Sequence, residues 1–248
     1  MRLVIHCGCH KTGTTAFQTL CSQNRALLNE VGVHYPGEDS LKQHSHLIWR
    51  IQAEGVSFLG RRLRAYRVSA GQNCDTVLLS GEDFENVIVD ITLALEIEEQ
   101  AHNAGFDDIV WIVVSRPSFD YAASIYAEMS KHKIVLQQSV IDKALLQRGC
   151  LYVSSHQFNY IFVLDFARFK DRFSLAICGD LWHFEMEEFL EHTPGGVVLK
   201  RLLGEPQYAK FNASMKGGNV IEHNRLSPHK VTQNYFATAL AAHGKRDP

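Results

Sequence analysis

Six apolar residues in a row, Ile109-Val110-Trp111-Ile112-Val113-Val114, constrain this chain more than any other segment. A strand with one face in water alternates apolar and polar residues, so an unbroken run marks a strand covered on both faces. Shorter runs of the same kind stand at Leu3-Val4-Ile5 and Val77-Leu78-Leu79, with a weaker one at Leu175-Ala176-Ile177. Between them, Phe17, Leu20, Cys21, Leu27, Leu28 and Val31 recur at helical spacing, and Gly32 follows as a stop. Residues 91–104, ending at Gly105, read as a second helix. A third spans 118–131 with Pro117 at its first position, and the aromatic-rich stretch 156–169 reads as a fourth. Strand–helix–strand alternation predicts an α/β fold with a central parallel sheet flanked by helices. The 248 residues suffice for one such domain, and no repeat or linker divides residues 1–248.

The formal net charge of −2 gives no general attraction for nucleic acid or membrane surfaces, so any anion site must be local. No apolar stretch approaches the roughly 18 residues of a membrane span. The opening segment is interrupted too soon by His6 and Lys11 to read as a signal peptide, so a cytoplasmic location is expected. Cys7, Cys9, Cys21, Cys74, Cys150 and Cys178 show no repeated metal-site spacing; they read as buried free thiols, and no metal is expected.

In a doubly wound parallel sheet, chemistry belongs at the carboxyl ends of the strands. After the first strand comes Gly8-Cys9-His10-Lys11-Thr12-Gly13-Thr14-Thr15. Glycines permit a tight turn, the first N–H groups of the next helix converge on one point, and a lysine and threonine hydroxyls add donors. The alternative is a plain turn with threonine caps. A Walker A loop sets its lysine directly after the second glycine; here Lys11 precedes Gly13 by two residues. That order resembles the 5′-phosphosulfate loop of sulfotransferases that use 3′-phosphoadenosine 5′-phosphosulfate (PAPS). The surrounding residues, His6-Cys7-Gly8, then Gln18, Asn24-Arg25 and Gly32-Val33-His34-Tyr35-Pro36, look like the opening of the bacterial sulfotransferase-like family. The resemblance implies a P-loop NTPase-like sulfotransferase fold, with His10, Lys11, Thr12, Gly13, Thr14 and Thr15 around the cofactor and adenosine 3′,5′-bisphosphate as the product.

Arg116 leaves the long strand just before a helix, and Ser124 lies eight residues, about two helical turns, further on. The pair resembles the 3′-phosphate motif of sulfotransferases; the plain reading is an ion pair to Asp120 and a surface hydroxyl. Sulfuryl transfer also needs a base for the acceptor and a cation for the departing phosphate oxygen. Lys11 supplies the cation without a metal. Glu82, in Ser80-Gly81-Glu82-Asp83-Phe84, matches the strand end that carries the base in the family, with Asp83 beside it. The same carboxylates also read as a helix cap or a magnesium ligand. In Gln43-His44-Ser45-His46, His46 is the second candidate base. Arg61, Arg62, Arg64 and Arg67 read as a solvated helix face or as a landing patch for an anionic acceptor. Where many sulfotransferases follow the threonine pair with a tryptophan on adenine, this chain has Ala16-Phe17, and a late Asn212-Ala213-Ser214-Met215-Lys216-Gly217-Gly218 stretch is the nearest match to their clamping loop. The expected partners are the nucleotide and a hydroxyl or amine acceptor, such as a saccharide or small metabolite. A small-molecule kinase and a non-catalytic nucleotide-binding protein are the competing readings.

Overall fold

The computed structural model describes residues 1–37, 41–131, 134, 136–154 and 159–216. Its strands are β1 (Arg2–His6), β2 (Val33–His34), β3 (Thr76–Ser80), β4 (Asp108–Ser115), β5 (Leu151–Ser154), β6 (Asn159–Phe162) and β7 (Asp180–Glu185). Five of them form a parallel sheet in the order β2-β3-β1-β4-β7, and β5 pairs with β6 as a separate antiparallel hairpin. Along the chain run α1 (Thr14–Gln23), α2 (Arg25–Glu30), α3 (Ser45–Glu54), α4 (Ser57–Ala70), α5 (Asn86–Val89), α6 (Ile91–Asn103), α7 (Ser118–Lys131), α8 (Gln138–Arg148), α9 (Ala167–Ala176), α10 (Met186–Leu190) and α11 (Gly196–Ser214).

The unbroken apolar strands do what their pattern requires. On one face, Leu3 and Ile5 of β1, Val77 and Leu79 of β3 and Ile109, Trp111 and Val113 of β4 pack with α3, α4, α6 and α7. On the other, Val4, Leu78, Val110, Ile112 and Val114 meet Phe17, Leu20 and Leu28 from α1 and α2, together with Val198, Leu199 and Phe211 from α11. Trp111 is wholly buried, and its indole N–H donates to Glu98 Oε1 at 2.8 Å. The second helix of the sequence reading forms as α6, started by Asp90, whose carboxylate accepts from Leu93 N–H at 3.1 Å.

Four expectations fail. The helix expected over 17–31 breaks at Asn24 into α1 and α2, because the Asn24 amide donates to Leu20 O at 2.8 Å and to Lys216 O at 3.0 Å. In the stretch 156–169, residues 156–158 lie outside the described residues, 159–162 form strand β6, and α9 starts only at Ala167. Leu175-Ala176-Ile177 is no strand: it is the end of α9 and its cap, with Leu175 87 % exposed. Cys178 is exposed, so not every thiol is buried. Among the described residues no helix is long and apolar enough to cross a membrane.

Truncating Trp111 to alanine should cost about 3–5 kcal/mol, whereas Leu175→Ala should stay within about 0.5 kcal/mol. Urea unfolding of the two variants reads both values, and similar costs would contradict the assignment of Leu175 to a solvated helix end.

Candidate functional site

Leaving β1, the chain moves toward β2 at one sheet edge; leaving β4, it moves toward β7 at the other. The crevice between the carboxyl ends of β1 and β4 is therefore a topological switch point, where ligands of open α/β sheets bind. Both sequence-derived turns end there.

The turn after β1 is held on one side by the sheet. Cys7 N–H and Cys9 N–H donate to Ile112 O and Val114 O, each at 2.9 Å, extending the pairing with β4 past the end of the strand. The backbone then coils through positive φ at Gly8 (41°), Lys11 (63°) and Gly13 (88°). For Lys11 this conformation costs roughly 1–2 kcal/mol, since its Cβ crowds the following carbonyl. A Cβ at Gly13 would lie 2.4 Å from Leu190 Cδ2, so a side chain there would have to displace Leu190 as well as adopt the left-handed backbone. Thr12 Oγ1 donates to Cys9 O at 2.6 Å and closes the turn. Among the described residues, the N–H groups of residues 11–15 have no acceptor within the chain. Successive free N–H groups at the start of α1, with the helix dipole behind them, make a cradle for an anion. Thr14 is buried at its base and Thr15 is exposed at its rim.

The second turn closes on the first. Arg116 Nη1 donates to Lys11 O at 3.1 Å and to Ser124 Oγ at 2.9 Å. The guanidinium thus lies against the Lys11 loop, and Ser124 shares its side of α7 as the spacing required. One helical turn beyond Ser124, Glu128 Oε2 pairs with Lys11 Nζ at 3.0 Å. Both side chains are partly exposed, so the pair is a weak latch that an anionic ligand can displace.

The turn after β3 faces the same loop. Glu85 is wholly buried and accepts from His10 N–H (3.0 Å), His10 Nδ1 (2.6 Å), the Tyr121 hydroxyl (2.8 and 2.9 Å) and Val163 N–H (2.5 Å). His10 Nε2 reaches Asp83 Oδ1 at 3.3 Å, and Asp83 Oδ2 accepts from the Trp49 indole at 3.0 Å. Both ring nitrogens of His10 are therefore held by carboxylates, so the ring fastens the loop and has no nitrogen left for a cofactor. Burial alone would lower the His10 pKa, but Glu82 and the hydrogen bonds to Asp83 and Glu85 outweigh it and raise it well above the ordinary value. Glu82 is half-buried beside this ion pair. Burial pushes its carboxyl above the usual range, with His10 opposing and Asp83 reinforcing the shift.

The two histidines of the 43–46 segment separate. His44 Nδ1 accepts from Ser80 N–H at 3.0 Å and its Nε2 donates to Pro36 O at 3.1 Å, a neutral ring that fastens the start of α3 to the end of β3. His46 is half-buried in the first turn of α3, its ring 6.4 Å from that of His44. The basic run lies elsewhere. Arg64 and Arg67 line a depression with His102 and Gly105, just before β4 begins, at the opposite end of the sheet from Lys11. The late 212–218 stretch is described only to Lys216; Gly217 and Gly218 lie outside the described residues. Glu85, Tyr121 and Glu128 were missed by the sequence reading. The last was findable, since it follows Ser124 by one helical turn. Among the described residues no group of three or more His, Cys, Asp or Glu side chains could hold a metal ion. No protein-family model matches the chain, and no curated protein matches it in sequence.

The raised His10 pKa carries a signed consequence. A folded state that holds this proton more tightly than the unfolded chain is stabilised by it below the ordinary imidazole pKa of about 6.5. That stabilisation is lost as pH rises through the higher folded value. Raised Glu82 acts in the same sense from the carboxylate range upward. Above about pH 7.5, where the lowered His6, His34 and His183 rings no longer add stability as pH rises, urea unfolding should show stability falling with pH, and His10→Asn should flatten that slope; equal slopes in the two proteins would contradict a charged His10.

Proposed function

We propose that this chain is a PAPS-dependent sulfotransferase with a P-loop-like fold, moving a sulfuryl group to a hydroxyl or amine acceptor. The observation that carries the reading is Arg116, one of whose nitrogens bridges the Lys11 carbonyl and Ser124. It joins an anion cradle and a second cation at one switch point, which suits a nucleotide phosphorylated at both its 5′ and 3′ positions. In this reading the N–H groups of residues 11–15 and Lys11 hold the 5′-phosphosulfate, while Arg116 and Ser124 hold the 3′-phosphate. Glu82 takes the acceptor proton as the acceptor oxygen or nitrogen bonds to sulfur. The sulfur–oxygen bond to the phosphate breaks, and Lys11, released from Glu128, stabilises the charge that develops on the phosphate oxygen. The desolvated Glu82 carboxyl is tuned toward that work. His46 is the alternative base, and Glu82 is preferred because it stands with Lys11 and His10 in one electrostatic cluster.

Adenosine 3′,5′-bisphosphate should raise the melting temperature more than ADP with magnesium, by mass action on the native state; the reverse preference would favour a kinase. Lys11→Ala and Arg116→Ala should each weaken bisphosphate binding about 10- to 100-fold, the worth of a hydrogen bond to a charged group. Glu82→Gln should keep the nucleotide and lose about 10²- to 10⁴-fold in turnover. Unchanged function in that variant would favour a non-catalytic nucleotide-binding protein.

A further inference from the structure

His6 ends β1 directly beneath the cradle and is wholly buried. Its ring stacks on Phe189 with centroids 5.3 Å apart and meets the edge of Phe17 at 5.3 Å. Nδ1 lies 2.7 Å from Ser80 Oγ. Nε2 is buried as well, and among the described residues it has no hydrogen-bond partner. An orphaned ring nitrogen in a buried site costs about 1–3 kcal/mol, so the position calls for a physical reason.

The direction of Nε2 supplies one. A Cβ built on Gly8 would lie 3.5 Å from His6 Nε2 and 3.4 Å from Thr14 Oγ1, with no closer neighbour. With no side chain on Gly8, His6 Nε2 and Thr14 Oγ1 face the same stretch of bare backbone at the base of the turn that opens α1, so an oxygen drawn in over Gly8 meets both. Each of the two can donate a hydrogen bond to an oxygen there. Ser80 Oγ donating to Nδ1 leaves the His6 proton on Nε2.

We propose that His6 and Thr14 form the floor of the anion cradle, donating from Nε2–H and Oγ1–H to one oxygen of a bound phosphoryl or sulfuryl group. The inference rests on the proposed phosphate-binding role of the Lys11 loop and adds a neutral donor below its backbone amides. Burial holds the His6 pKa down at about 3, so the ring gives a directional hydrogen bond without charge across the neutral range. Ser80, at the end of β3, becomes the group that sets the tautomer, a positioning residue acting through His6.

Nuclear magnetic resonance on the full, isotopically labelled chain tests this, with inorganic phosphate and adenosine 3′,5′-bisphosphate as separate titrants. The Nε2–H signal of His6 should move with the Gly13 and Thr14 amides and saturate at the same concentration. His6→Phe should bind the bisphosphate about 2- to 10-fold more weakly, the loss of one neutral hydrogen bond, and Ser80→Ala should shift the His6 tautomer signals before any ligand is added. The wild-type titration decides the matter if His6→Phe fails to fold. Amides that shift while His6 stays still would overturn the floor and leave the loop reading intact. Amides and His6 that are both unmoved by either titrant would overturn the two together.

Discussion

A single carboxylate with no exposure to water holds the candidate site in shape. Glu85 gathers the loop after β1 through His10, the helix after β4 through Tyr121, and the start of the chain beyond the hairpin through Val163. Burying a charge is costly, and only a counter-charge plus a full set of donors offsets it. Glu85 has both, so its partners must stay where they are or leave an uncompensated charge in the core. Each neighbouring group inherits its position from this requirement: Asp83 meets the far side of His10, Trp49 meets Asp83, and Glu82 sits at the border of a buried ion pair.

Charge near this turn is unevenly divided. Glu82, Asp83 and Glu85 fall within four residues of a short 3-10 turn, Glu82–Glu85, and His10 is the cation set among them. Such crowding raises the proton affinity of whichever group is least satisfied. For Glu82 burial is the main cause of a raised affinity, with Asp83 and Glu85 adding to it against the opposing His10 and Lys11. The same fold that secures the loop thereby conditions the half-buried Glu82 carboxyl.

How much of this was legible follows from where each constraint comes from. The strands at Leu3–Ile5, Val77–Leu79 and Ile109–Val114 were readable because burial on both faces leaves its mark within the run itself. The Lys11 turn and the Arg116/Ser124 spacing were readable because each is set within a few residues of chain. Asn24 was not, since its partner Lys216 is 192 residues away. Strand β6 was mistaken for a helix because its form depends on partners outside the segment: Leu151 and Tyr152 across the hairpin, and Asn86, which accepts from Ile161 N–H at 2.9 Å. Glu85 looked like one more polar residue in a turn, since its four donors converge only in three dimensions.

The stitching of Cys7 and Cys9 onto β4 has an effect beyond local order. It forbids the loop to slide along the strand from whose end Arg116 springs, so the backbone carrying Lys11 keeps a fixed offset from the backbone carrying Arg116. In the proposed reading, a ligand held at both turns must match an offset set by backbone hydrogen bonds, with only the side chains left to adjust to its length.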